Sequence, residues 1–196
     1  MNKSIVYLIC LMVLLFVSVT GCGPQDETRT LPYTRYVESY DGARVPVPDH
    51  PKRILALSSA SDTILLGLVE PDRLVGINKL STYEEYSLEA KRAKLVKPAM
   101  SSYPLEKIIA LEPDLVLAPD YTSADVIAGF RHMGIPTVVV PTGTTVESVI
   151  KNVTDIAHIV GEDEKGQFYE QKIRRELEKM KRLGTSIPLN QRKSVL

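Results

Sequence analysis

Cys22 is the side chain whose setting most directly predicts chemistry. It follows Val19-Thr20-Gly21 at the end of an apolar run, residues 5–18, which Lys3 precedes. A basic start, an apolar core and a small-residue exit are the layout of a secretory signal. Val19-Thr20-Gly21-Cys22 matches a bacterial lipobox, in which the thiol is acylated and the cysteine becomes the new N-terminus. A plain signal peptide or a single anchor helix is the alternative. The polar stretch that follows, "GPQDETRTLPYTR", suits a flexible tether. The expected location is therefore outside the cytoplasm. Lipid would hold the protein to the outer face of the cell membrane, or to the periplasmic side in a two-membrane bacterium. The other thiol, Cys10, lies inside the apolar run. A disulfide framework, a CxxC redox pair and a Cys-ligated zinc are excluded beyond Cys22.

Other reactive groups are present without a catalytic pattern. His50 precedes the first expected strand, His132 lies near a helix end and His158 falls on a polar helix face. No His-based metal site is expected from such scattered positions. Neither a dinucleotide or phosphate loop, a nucleophile elbow nor an HExxH motif occurs. Carboxylates are plentiful, but no pair stands out as acid and base. The reading is a protein that is not an enzyme and has no cofactor of its own. Lys+Arg and Asp+Glu are 24 each, so there is no basic surplus for binding nucleic acid.

The elements that would position a site follow a regular order. "TRYVESYDGARVPVP" alternates around Asp41-Gly42, a hairpin signal. Short apolar runs at 53–57, 73–77, 114–119 and 137–141 read as buried strands. Helices are expected between them. "TILLGLV" is one, preceded by Ser58–Asp62 as loop and cap. "LEKIIALEP" is a second, and residues 123–133 a third, capped through Thr122 and Asp125 and closed by Gly134. The fourth follows a Thr144-x-x-Glu147 capping box and carries Val146, Val149, Ile150, Val153, Ile156, Ala157 and Val160 on one face until Gly161. Residues 80–104 look mostly irregular. Strands alternating with helices imply an α/β fold, a parallel sheet flanked by helices on both faces. Ligands of such sheets sit outside the carboxyl ends of the strands, here the loops 58–62, 78–83, 98–104, 119–122 and 141–144.

Residues 162–184 form a different element. Tyr169, Ile173, Leu177, Met180 and Leu183 make one narrow apolar stripe on an otherwise charged helix. Its length of roughly 30 Å suits a strut between two lobes, and a solvated outer helix is the simpler alternative.

"VPVPDHPKRILALSS", "PDRLVGI", "LEKIIALEPDLVLAPD", "GIPTVVV" and the charged helix occur in that order. Together they resemble the solute-binding proteins of bacterial ABC importers for iron–siderophore complexes, haem and cobalamin. The resemblance covers residues 35–196, and "LEKIIALEPDLVLA" is its most specific stretch. It implies two α/β lobes bridged by a rigid helix, a ligand cleft between them, and no covalent chemistry. The expected organisation is a signal peptide at 1–21, a tether at 22–34, the N-terminal lobe at 35–161, the inter-lobe helix at 162–184, and the start of a second lobe at 185–196. On that pattern the closing "RKSVL" opens the second lobe's first strand, and the chain reads as truncated there.

The resemblance also assigns roles. Glu106 stands where the first-lobe docking Glu stands in the cobalamin-binding branch, so it is expected to engage arginines of the permease dimer. Ser59, Tyr83, Met100, Tyr103 and Tyr121 fall in the strand-end loops and become the candidate ligand contacts, since aromatic rings stack on large flat ligands. Met100 falls near where some haem-binding relatives place an axial ligand; a core Met filling a gap is the alternative. After "LALS" this sequence has Ser59-Ala60-Ser61-Asp62-Thr63 where cobalamin binders often carry Pro and then an acidic residue. That places iron complexes, siderophore or haem, ahead of cobalamin as the solute of a monomeric receptor. Two other classes stay open: an enzyme on the same scaffold, and an anchored module that docks to the permease without capturing solute.

Overall fold

The computed structural model describes residues 35–186. The signal-like run, Cys22, the tether and the "RKSVL" ending lie outside the described residues.

The hairpin forms as the Asp41-Gly42 signal predicts. Strand β1 (Arg35–Glu38) pairs antiparallel with β2 (Arg44–Val47), Val37 opposite Val45. Gly42 takes φ 81°, a left-handed conformation that glycine adopts without strain. Val37, Val45 and Val47 turn to the core, while Arg44 stacks over the outward Tyr36 ring at 4.8 Å. The hairpin end then covers a sheet edge. Tyr40 N–H donates to Val139 O, and Val139 N–H donates to Ser39 Oγ.

The main sheet holds β3 (Ile54–Ala56), β6 (Leu115–Pro119) and β7 (Thr137–Val140), parallel and in the order β3-β6-β7. Every residue of these strands is buried, as expected for parallel strands covered on both faces. A second parallel pair, β4 (Ile77–Asn78) with β5 (Ala99–Met100), joins it through a bridge between Ile54 and Leu74 and a bond from Val75 N–H to Ile54 O.

The expected strand 73–77 is therefore mostly not ladder. Pro71–Arg73 is a 3₁₀ turn, and Gly76 lies under packed side chains. A Cβ at Gly76 would meet Met100 Cε at 2.8 Å and Leu55 Cδ1 at 3.0 Å.

Six helices complete the described fold: α1 (Ser59–Leu68), α2 (Ala90–Ala93), α3 (Leu105–Ala110), α4 (Ala124–His132), α5 (Val146–Ile159) and α6 (Asp163–Ser186). Alternation along the strands divides the core. Ile54, Ala56, Leu115, Leu117, Val138 and Val140 pack with α1, α5 and the hairpin. Leu55 and Val116 pack on the opposite face with Ile108 of α3 and Phe130 of α4.

Three helix starts differ from expectation. Helix α1 begins before "TILLGLV", capped by Ser58, whose Oγ accepts from Ser61 N–H. The position before α4 is Ser123, with no side-chain cap bond, so the Thr122–Asp125 pattern does not cap that helix. The box at α5 lies one residue later than expected. Thr145 Oγ1 accepts from Ser148 N–H, and Ser148 Oγ accepts from Thr145 N–H; the shorter Ser closes the box where Glu147 was expected to. Val146 and Val149, placed on the buried face from sequence, are 50% and 43% exposed, while Ile150, Val153, Ile156 and Ala157 are buried.

Helix α6 starts at Asp163, runs through Gly184 and continues to Ser186. Nothing lies within 4 Å of a Cβ at Gly184; it is an exposed position the helix passes over. The base of α6 is anchored where Gly166 sits against Ala157 and Tyr169 packs on Gly67. Further out, Met180 and Leu183 are 65% and 66% exposed.

Candidate functional site

All parallel strands open toward one edge, and the loops beyond their carboxyl ends form the candidate site. Two short ties fix these loops. Asp120, just after β6, accepts from Thr142 Oγ1 at 2.6 Å and from Thr142 N–H at 2.9 Å, joining the loops after β6 and β7. Those hydrogen bonds, the hydroxyl first, hold the Asp120 carboxyl below its usual range. The other tie is Asp62. Its Oδ2 accepts from Asn78 N–H at 2.7 Å and from Ser81 Oγ at 2.9 Å.

Asp62 is fully buried. Burial pushes its carboxyl from 3.8 up to about 7, against the opposing pull of the Asn78 and Ser81 hydrogen bonds. Its Oδ1 has no hydrogen-bond partner. Sequence reading gave Ser58–Asp62 as loop and helix cap; Ser58 is the cap, and Asp62 lies in the first turn of α1. The spacing of 62, 65 and 66 was the available signal, since it sets Asp62 on the same helical face as Leu65 and Leu66.

The predicted contacts divide. Ser59 opens α1 and is half-buried, with its carbonyl accepting from Thr63 Oγ1. Tyr83 is 41% exposed and meets the more exposed Tyr86 edge-to-face, ring centroids 6.5 Å apart. Tyr103 is half-buried; its ring packs on the core cluster of Leu55, Met100 and Ile108, and its hydroxyl is buried without a partner. Burial raises the Tyr103 phenol well above its usual value. The charge of Asp62 adds to this, the Asn78 side chain acts in the opposite direction, and Tyr121 raises it further. The Tyr121 ring is 73% exposed.

Met100 is a correction. It is 1% exposed and fills the space under Gly76 beside Leu55 and Phe130. As the second residue of a two-residue strand it turns inward, so it is a core side chain and not part of the exposed face.

Glu106 is exposed in the first turn of α3, between Leu105 and Ile109, which are 40% and 41% exposed. His132 lines a different feature, an open groove of about 750 Å³ between the hairpin turn and α4 that also includes Tyr40, Asp120 and Ile127. None of the five predicted contacts lines that groove. The Asp41–Arg131 ion pair at 2.6 Å spans it, and the Arg131 hydrogen bond holds the Asp41 carboxyl down at about 2. Among the described residues no three His, Cys, Asp or Glu gather to hold a metal.

The described residues form an α/β sheet with polar and aromatic side chains at its strand ends, continued by one long charged helix. Residues 54–195 match the family described as periplasmic binding protein, and the chain belongs to that family. Three similar proteins refine this. An uncharacterized ABC transporter substrate-binding lipoprotein of Bacillus subtilis is 27% identical over 94% of this chain and 60% of its own length. A vitamin B12-binding protein of Vibrio campbellii is 30% identical over 66% of this chain and 46% of its own. The crystal structure of the heme-binding protein HmuT superposes with a TM-score of 0.55 at 27% identity, covering 69% of this chain and 43% of that one. The chain thus spans about half of the lengths of these relatives.

Proposed function

We propose that the chain belongs to the extracytoplasmic solute-binding component of an ABC importer, capturing an iron complex, siderophore or haem, and delivering it to the permease. The single observation that carries this is the family match across residues 54–195. The geometry agrees with it. Tyr83, Tyr86 and Tyr121 offer exposed rings at the strand-end face, where a large flat ligand can stack. Capture at this face needs no covalent step. Acylated Cys22 would keep the protein near its transporter, and exposed Glu106 would meet permease arginines. Ser59, Tyr83, Tyr103 and Tyr121 are the proposed contacts; buried Met100 is left out.

Cobalamin is the second reading, favoured by the Vibrio campbellii relative. Native mass spectrometry of the intact protein with a ferric siderophore, haem and cobalamin separates the two. A one-to-one complex with an iron compound supports the first, and one with cobalamin alone supports the second. Silence with all three contradicts both.

A further inference from the structure

Residues 79–87 carry Tyr83 and Tyr86, the exposed rings that meet edge-to-face at 6.5 Å. No apolar side chain of this stretch is buried; its two buried residues are Ser81 and Ser87. Apolar side chains of its own therefore do not anchor the stretch, and its hydrogen bonds fix where the rings stand.

Those bonds lead to two consecutive residues of α1. Asp62 is fully buried on the helix face that carries Leu65 and Leu66. Its Oδ2 accepts from Asn78 N–H at 2.7 Å and from Ser81 Oγ at 2.9 Å, so one oxygen gathers the start of the stretch. Thr63 Oγ1 donates to the Ser59 carbonyl at 2.9 Å and lies 3.5 Å from Ser87 Oγ. Its single proton is engaged at Ser59, so the Ser87 hydroxyl donates to it and holds the far end. Between these points, Tyr83 N–H donates to Leu80 O at 3.1 Å and Ser87 N–H donates to Tyr83 O at 3.0 Å. Tyr83 is thus bonded on both sides to turns that α1 holds. A carboxyl on an apolar helix face costs free energy that two hydrogen bonds offset only in part, and Asp62 Oδ1 has no hydrogen-bond partner. An apolar side chain at 62 would avoid that cost but would leave Asn78 N–H and the buried Ser81 hydroxyl without this acceptor.

We infer that Asp62 is a positioning residue of the solute face: through Asn78 and Ser81, with Thr63 and Ser87 at the other end, it clamps residues 78–87 to α1 and so sets the place of the Tyr83 ring. The clamp stands on the hydrogen bonds alone. Its consequence for capture rests on the proposed solute-binding role, in which Tyr83 is a contact.

The test begins with the intact protein and no solute. Hydrogen exchange at the Asn78 amide, read by NMR, should be at least about 10-fold faster in Asp62→Ala than in wild type. In Asp62→Asn, whose side-chain oxygen still accepts, it should stay close to wild type. The fluorine resonance of Tyr83 in 3-fluorotyrosine-labelled protein, assigned with Tyr83→Phe, should shift or broaden in Asp62→Ala and hold in Asp62→Asn. If Asp62→Ala does not fold, Ser81→Ala serves: it removes one arm of the clamp and should disturb the same resonance. An Asn78 amide that exchanges alike in wild type and Asp62→Ala, or a Tyr83 resonance unmoved in Asp62→Ala or Ser81→Ala, overturns the inference. With haem as the probe, Asp62→Ala should raise the Kd about 3–10-fold in the wild-type and Tyr121→Ala backgrounds and leave it unchanged in Tyr83→Ala. The same rise in the Tyr83→Ala background would mark a general loosening and overturns the link to capture. Failure of the wild type to bind haem counts against the proposed function, and the solute-free measurements then decide the clamp on their own.

Discussion

Arg53 and Asp114 hold each other twice. The backbone N–H of Arg53 donates to Asp114 Oδ1 at 2.9 Å, and the backbone N–H of Asp114 donates to Arg53 O at 3.0 Å. The same carboxylate accepts from Lys52 N–H at 2.8 Å, and the Arg53 guanidinium donates to the carbonyls of Leu111 and Glu112 that end α3. This clasp sets β3 beside β6 at their entry and fixes the register that carries the strand-end loops. Asp114→Ala removes two charge-assisted acceptor contacts, so a loss of about 1–3 kcal/mol is expected in urea unfolding. A change below about 0.5 kcal/mol would show that the clasp is incidental.

Met100 should behave as core. Met100→Ala is expected to cost about 2–5 kcal/mol and Met100→Leu less than about 1.5, since Leu conserves volume and apolarity. Were Met100 instead an axial haem ligand, Met100→Leu would leave stability unchanged and shift the visible spectrum of the haem complex.

Asp62 gives the clearest pH dependence. Its carboxyl is raised from 3.8 to about 7, so the folded protein keeps a proton that the unfolded chain releases. Its contribution to stability is fully present below about pH 4 and is lost as pH rises through about 7. Asp62→Asn is neutral throughout and keeps an acceptor for Asn78 and Ser81. Relative to wild type, the variant should gain stability between about pH 4 and 7, by at most on the order of 4 kcal/mol, and level off above that. The lowered carboxyls of Asp41 and Asp120 act at lower pH and cancel in the comparison. Parallel stability profiles would contradict the assignment.

Glu106 should separate docking from folding. It is exposed and takes part in no ion pair among the described residues. Glu106→Ala is expected to change stability by less than about 0.5 kcal/mol. Association with permease-containing membranes should fall and lose part of its salt dependence. Unchanged association would remove the docking role.

Much of the architecture was legible because burial leaves a strong trace. The runs at β3, β6 and β7 are buried on both faces and read as unbroken apolar stretches, and Gly134 and Gly161 end their helices at φ 74° and 75° as expected. The strand at 73–77 was overread because Gly76 serves close packing, which apolarity alone does not reveal. The caps slipped by a residue because Thr144 and Thr145 are equivalent in sequence and only backbone geometry distinguishes them. The site was less legible. Tyr83 and Tyr121 could be placed in loops from strand ends, but the inward turn of Met100 and the burial of Asp62 depend on tertiary packing.

Capture of a metal-bearing solute at the strand-end face is the proposed activity. Its most direct test is a fluorescence titration of the intact protein with a ferric siderophore, haem and cobalamin, repeated with Tyr83→Ala and Tyr121→Ala. Saturable quenching by an iron complex, weakened about 5–30-fold when either ring is removed, is the predicted result. No saturable binding to any of the three, or binding that neither substitution affects, would contradict it.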